Sequence, residues 1–339
     1  MRILIVVPSQ DRVSGNWITA ERFKHGLELL GHQVALHETT LQPHGRLQRR
    51  LRDFAPDVAL LLHAYRSGKP WQEEASGLGI PCVVLLTGTD VNQDLDLPEQ
   101  GGVIRSVMHQ ASFTLVQNPL IAAGLAASRP ELSGNLRLLP QGITLGTTPY
   151  DLRKTHALSR EKVLFLCPAG IRPVKGLLEL LEMSDRVAAA SPAFLLAFCG
   201  PSLDENYSRR FLAALAQRPW ARHLGSIPPQ AMANAMRGAD VILNNSQAEG
   251  LANALVEAAT LGIPILARRI PGNTAVVRHH CNGLLFDNEQ EFVRYALQLI
   301  DPANRRQFAS PDPQHYRADR EAAELATILN EAVKAPCSC

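Results

Sequence analysis

The sequence predicts an α/β protein of two doubly wound, Rossmann-like domains, and three observations carry that prediction. Short continuous apolar runs recur along the chain, each followed by polar or glycine-bearing residues and then by a helical pattern, as in parallel strands buried on both faces. The alternation pauses over Pro140 to Arg160, a stretch with Gly142, Gly146 and Pro149 and no sustained period, and then restarts. A chain of 339 residues is also long for one hydrophobic core and comfortable for two. The expected division is 1–150, 160–312 and a terminal helical segment 313–333, with a cleft between the two domains.

Composition narrows the function. A net charge of +2, spread along the chain, leaves no footprint for nucleic acid. No apolar run reaches the length that spans a bilayer, and the opening run Met1 to Val7 stops at Pro8, so it reads as a first strand and the protein as soluble and cytoplasmic. The six cysteines show no paired spacing. Cys82, Cys167 and Cys199 lie in or beside apolar runs and read as small core residues. His279, His280 and Cys281 lack a second ligand pair at zinc-site spacing and read as structural. The tail Cys337-Ser338-Cys339 receives no role.

Taken in order, Arg2 to Val7 is a strand, Ser9 to Asn16 a polar loop, and the helix that follows carries Ile18, Phe23, Leu27 and Leu30 until Gly31 stops it. Strand, glycine-bearing loop and helix start make a phosphate-approach geometry, although without Gly-x-Gly-x-x-Gly a dinucleotide is not indicated. Gly15 lets backbone come close to a ligand and Asn16 offers a donor and an acceptor; a simple turn is the alternative. A strand near Val34 to Leu36 precedes a helix at Arg46 to Phe54. That helix puts Arg46, Arg49 and Arg50 on one face, a solvated stripe or else a peripheral membrane contact.

The next two strands, Asp57 to Leu62 and Val83 to Leu86, end in polar tips: His63, and Thr87-Gly88-Thr89-Asp90. Consecutive parallel strands share their carboxyl edge, so both tips are expected to face one crevice. His63 and Asp90 are therefore candidates to touch substrate, against the readings of a hydrogen-bonded bystander and a turn cap. Asp94-Leu95-Asp96 fits an Asp-x-Asp metal signature, but so short a motif occurs too readily by chance to count. Helices near Val103 to His109 and Leu120 to Ala127 then flank strands at Phe113 to Val116 and Leu136 to Leu139.

The second series opens with the strand Lys162 to Cys167 and the loop Pro168-Ala169-Gly170-Ile171-Arg172-Pro173-Val174-Lys175-Gly176. Arg172 can grip two phosphate oxygens in its fork while Lys175 adds a mobile point charge, unless both are ordinary surface cations. After a strand at Phe194 to Cys199, the segment Leu224 to Pro228 leads into a helix at Gln230 to Met236. The stretch Asp240 to Ala267 then reads as strand, polar elbow (Asn244, Asn245, Ser246), helix from about Leu251, and strand.

Two carboxylates mark that elbow. Glu249 precedes the helix and Glu257 lies about two turns in, roughly 10 Å away at 1.5 Å per residue. Between them the amides of Gly250, Leu251, Ala252 and Asn253 sit at the positive end of the helix dipole, a seat for phosphate. Acid, anion seat, acid matches a nucleotide-sugar, with ribose hydroxyls, diphosphate and sugar hydroxyls in that order. The plain alternative is a helix-start acid and a surface acid. Gly283 to Phe286 makes a last strand, and Tyr316 to Val333 is helical.

Glu-x7-Glu followed by a Gly-Ile-Pro strand resembles the retaining GT-B glycosyltransferases of the group 1 (family 4) type, specifically over Asn244 to Phe286 and collinearly over most of the chain. The resemblance implies that Arg172 and Lys175 neutralise the donor diphosphate, that backbone near Ile227 meets the base, and that Glu249 and Glu257 hold sugar and ribose hydroxyls. It implies a configuration-retaining transfer without metal or cofactor, from an NDP-sugar co-substrate, most simply a UDP-sugar, to an unidentified small-molecule, lipid or protein acceptor. The terminal helix would cross back onto the first domain. Gly15-Asn16-x-x-Thr19-Ala20, Thr87-Gly88-Thr89-Asp90-Val91-Asn92, Gln141-Gly142-Ile143 and Ile270-Pro271-Gly272-Asn273 look like the subgroup of glycosyltransferase 1 domain-containing proteins. Selenosugar synthase shares the first and part of the second. Where the broader family has two glycines in the first loop, this chain has Gly15 and Asn16. Three rivals remain: a synthase of the same architecture delivering the sugar to a selenium or sulfur nucleophile, a UDP-sugar epimerase, and a non-catalytic nucleotide-sugar sensor, against which the intact Glu249, Glu257, Arg172 and Lys175 set argues.

Overall fold

A computed structural model describes residues 1–9, 15–42, 45–308, 312 and 314–334. Most of the first-loop segment read from Ser9 to Asn16 and the whole Cys337-Ser338-Cys339 tail lie outside the described residues. The chain forms two compact units, Met1–Thr144 with Arg317–Cys339, and Leu145–Tyr316.

The first unit is built on a six-stranded parallel sheet of β1 (Arg2–Pro8), β2 (Gln33–Thr39), β3 (Val58–Leu62), β4 (Cys82–Leu86), β5 (Phe113–Val116) and β6 (Leu136–Leu138), in the order β2-β1-β3-β4-β5-β6. Alternating side chains feed two cores, Leu4, Val6, Leu61 and Val84 on one face and Ile3, Ile5, Leu60 and Leu62 on the other. This is why the runs read as uninterrupted apolar residues. Helix Gly15–Leu29 covers the second face together with Leu325, Ile328 and Leu329 of the terminal helix Ala318–Lys334. A backbone bridge between Ile143 and Arg317 brings the outgoing and returning segments side by side. Gly142 is needed there, since a Cβ would stand 2.6 Å from the Ala318 Cα. Arg22, from the helix that follows β1, pairs with Glu321 at 2.7 Å, both buried, and Gln117 donates to the same carboxylate at 2.7 Å.

The second unit has its own six-stranded parallel sheet, β7 (Val163–Pro168), β8 (Phe194–Cys199), β9 (Ala221–His223), β10 (Val241–Asn244), β11 (Ile265–Arg268) and β12 (Gly283–Phe286). Their order is β12-β11-β10-β7-β8-β9. Phe165, Phe194, Phe198, Phe211, Phe286 and Phe292 fill one side of it. The two sheets differ in topology: strand order reverses beside β1 and β3 in the first unit, and beside β7 and β10 in the second. Ligands of open α/β sheets sit outside the carboxyl ends of the strands at such a reversal.

Boundaries shifted by a residue or two in most elements, and two differences matter. The short strand β9, which the sequence reading did not single out, ends at His223, and 224–228 is irregular up to the helix Pro229–Arg237. The helix expected from about Leu251 begins at Asn253, because Ala252 is extended (φ −76°, ψ 100°) and serves as its N-cap. Gly250 and Leu251 therefore belong to the loop, and Glu257 stands one turn into the helix instead of two.

Candidate active site

The reversal in the second unit sets the loop after β7 beside the elbow after β10. Gln247 donates its amide to the Val174 carbonyl at 2.8 Å, and the Asn245 side-chain amide donates to the Gly176 carbonyl at 2.7 Å. Gly176 permits that approach: its φ of 59° is left-handed, and a Cβ would lie 2.7 Å from the Asn245 carbonyl. The two loops thus bring Lys175 Nζ to 2.5 Å from Glu249 Oε1, with the side chains only 15% and 13% exposed.

Glu249 is the hub of this corner. Its Oε1 also accepts from Ser246 Oγ at 2.6 Å and from Asn244 Nδ2 at 3.4 Å. Burial pushes the Glu249 carboxyl up, yet Lys175 beside it, with hydrogen bonds from Lys175, Ser246 and Asn244, holds it below the usual carboxylate range. Behind it, Asn273 is fully buried and donates to Asn244 Oδ1 at 3.1 Å and to the Arg268 carbonyl at 2.9 Å. Gly272 leaves room for the acid: a Cβ there would come within 2.5 Å of the Glu249 Cβ. Sequence reasoning saw Asn244, Ser246, Gly272 and Asn273 only as loop or motif residues. The available signal was a run of polar side chains directly after a buried strand, on the sheet's ligand-binding edge.

The other expected residues fall at identifiable places. Arg172 is extended (φ −160°, ψ 159°) and caps the short 3₁₀ turn Pro173–Lys175. Lys175 and Glu249 act electrostatically on Cys167, whose thiol burial pushes up to about 12, and Glu257 acts on Cys199, which burial also pushes up. Ile227 is buried in the irregular segment before helix Pro229–Arg237. Lys175, read as a mobile charge for phosphate, is engaged here by Glu249.

In the first unit, Gly15 and Asn16 open the helix that follows β1. His63 and Asp90 do share one edge, but both are buried. Asp90 accepts the backbone amides of Ala64 (2.9 Å), Thr87 (3.0 Å), Gly88 (2.9 Å) and Val91 (3.1 Å), so its carboxylate joins the loops after β3 and β4. Burial holds the His63 imidazole below its ordinary value against the pull of Asp90 and Asp94. Among the described residues no trio of His, Cys, Asp or Glu could hold a metal ion, and no helix is long and apolar enough to cross a membrane.

Residues 151–310 match the family of group 1 glycosyl transferases. Glycosyltransferase 1 domain-containing protein 1 of Xenopus tropicalis is 28% identical over 305 residues, spanning 88% of this chain and 87% of that protein. A D-inositol 3-phosphate glycosyltransferase of Segniliparus rotundus is 25% identical over 234 residues, 66% of this chain and 51% of its own. In fold, the chain superposes on sucrose-phosphate synthase from Thermosynechococcus elongatus with a TM-score of 0.83 at 16% identity, covering 98% of each. Against Anabaena HepE in complex with UDP-glucose the TM-score is 0.77 at 17% identity, covering 98% of this chain and 100% of that one. The architecture is GT-B.

Proposed function

For a chain whose residues 151–310 match the group 1 glycosyl transferases, we propose that the second unit holds a nucleotide-sugar, most simply a UDP-hexose, whose sugar passes to an acceptor with retained configuration and no metal. The observation that carries this reading is the Lys175–Glu249 pair at 2.5 Å, set where the strand order reverses and beside the start of helix Asn253–Leu261. Departure of the nucleotide needs charge on the β-phosphate to be stabilised as the sugar–oxygen bond breaks. Arg172, Lys175 and the amides from Gly250 to Asn253 supply that stabilisation. An arriving diphosphate competes with Glu249 for the Lys175 ammonium. Glu249 then accepts sugar hydroxyls, Glu257 accepts ribose hydroxyls, and backbone near Ile227 meets the base. Gly15 and Asn16 give a loop that lets backbone approach the donor, and His63 and Asp90 shape the acceptor side in the first unit. The hexosyl choice is supported by HepE, which binds UDP-glucose.

The test is thermal-shift titration of wild type and Arg172→Ala with UDP-, GDP- and ADP-glucose, since ligand bound only by the folded state raises the melting point, paired with nucleotide-release kinetics. Wild type should be stabilised by one of the three, and Arg172→Ala should lose both the shift and turnover. Full activity in that variant removes the diphosphate assignment.

A further inference from the structure

The chain leaves β3 through His63 in a left-handed conformation, φ 79°, which a residue with a Cβ adopts only when its surroundings hold it there. The surroundings are explicit. His63 donates its amide to the Leu85 carbonyl at 3.0 Å and accepts the Ser67 amide at 3.1 Å, while Ser67 Oγ donates to the Leu62 carbonyl at 2.6 Å. The Arg66 amide donates to His63 Nδ1 at 3.2 Å. With Nδ1 accepting, the neutral ring carries its proton on Nε2. That atom lies 3.0 Å from Thr89 Oγ1 and 3.8 Å from Asp94 Oδ2.

Two carboxylates therefore flank His63, and they differ in what they have left to offer. Asp90 is 0% exposed, and its oxygens accept backbone amides. The Asp94 side chain is 19% exposed, against 1% for His63. Asp96, the other half of the Asp-x-Asp motif, turns to Arg129 at 2.5 Å, so the two acids of that motif have different partners. The charged groups acting on Asp94 are His63, Arg66 and Asp90.

We propose that Asp94, the carboxylate beside His63 that keeps some exposure, binds the acceptor: its carboxylate takes the hydrogen bond of an acceptor hydroxyl. This rests on the transferase reading above. In the transfer, the acceptor oxygen forms a bond to the anomeric carbon as the bond to the diphosphate breaks, and the hydroxyl proton leaves on the departing phosphate oxygen. Asp94 directs that hydroxyl and does not retain its proton. A carboxylate at this point favours a neutral polyol over an anionic nucleophile such as a selenophosphate or a thiolate. Burial pushes the Asp94 carboxyl up, with His63 and Arg66 opposing, so the ionised, accepting form is lost at a higher pH than for an ordinary aspartate.

The experiment follows nucleotide release from UDP-, GDP- and ADP-glucose between pH 5 and 8, with water alone and with a pool of glycerol, myo-inositol and free hexoses. It uses full-length wild type, Asp94→Asn and Asp96→Asn, with Asp94→Ser replacing the first variant should it not fold. The expected result is a rise of about ten-fold or more in acceptor KM for Asp94→Asn, the loss of a hydrogen bond to a charged group. Donor KM should be unchanged, and Asp96→Asn should behave as wild type. An unchanged acceptor KM in Asp94→Asn, with wild type active, overturns the assignment. So does an equal loss in Asp96→Asn, which would make the two acids act jointly, or a pool that never raises release above that with water. Wild type that releases nucleotide from none of the three donors overturns the transferase reading itself.

Discussion

Replacing Lys175 with methionine keeps most of the side-chain volume and removes the ammonium that stands 2.5 Å from the Glu249 carboxylate. Leaving one member of a buried ion pair unpaired costs 3–5 kcal/mol; because both side chains here keep a little exposure, about 3 kcal/mol is expected at pH 7.5. For a domain of 150–250 residues that corresponds to a melting point lower by roughly 6–12 °C. The pH dependence follows from the sign of the shift. In wild type the Glu249 carboxyl lies below its ordinary value, so its contribution is fully present above the unfolded-state value and fades only as pH falls through the lower folded-state value. Without Lys175, burial dominates and the carboxyl moves up. Its penalty is then present at pH 7.5 and shrinks as pH falls toward 5 and the acid becomes neutral. Urea unfolding followed by Trp220 reads the second unit; this residue packs on Phe194 at 5.7 Å, and Trp17→Phe/Trp71→Phe silences the other two tryptophans. The double variant Lys175→Met/Glu249→Gln should regain most of the loss at pH 7.5. A single variant within 1 kcal/mol of wild type, a double variant no more stable than the single, or a loss that grows on acidification would refute the reasoning.

Gly272→Ala places a methyl 2.5 Å from the Glu249 Cβ and carbonyl oxygen; a cost of about 1–3 kcal/mol and a kcat/KM lower by about ten-fold or more are expected from calorimetry and nucleotide release. Glu321→Gln leaves the buried Arg22 guanidinium without its counter-charge and should cost about 3–5 kcal/mol in urea unfolding, whereas Arg22→Met/Glu321→Leu should lie much closer to wild type. In the folded protein at pH 8, Ellman's reagent should label exposed Cys281 and spare Cys167 and Cys199, whose thiols burial pushes up. Peptide mapping that finds either buried thiol modified before guanidinium is added would contradict this.

Which polar loops gather at the sheet edges was legible because parallel βα units place every loop after a strand on one edge of the sheet. That logic singled out the Arg172–Lys175 loop, the Glu249 elbow, and the tips at His63 and Asp90 without any knowledge of contacts. It misplaced the helix start by two residues, since Ala252 has good helical propensity and only the local backbone makes it a cap. Between Asp90 and Asp94 the sequence reading took Asp90, at the strand tip, and set the Asp94-Leu95-Asp96 motif aside. Two aspartates in one turn-rich segment look alike until folding shows which is taken up by backbone amides and which keeps an open face.

The sequence by itself determined the α/β class, the repeated strand–loop–helix series, and the chemical kinds gathered at the loop ends, because periodicity and polar strand tips are local properties. Only the tertiary structure decided which loops meet. Lys175 and Glu249 follow strands separated by β8 and β9 along the chain, and they touch because strand order turns back beside β7, setting β10 directly against it. That adjacency is fixed by how sheets bury their faces, a property of the whole unit that no window of residues contains.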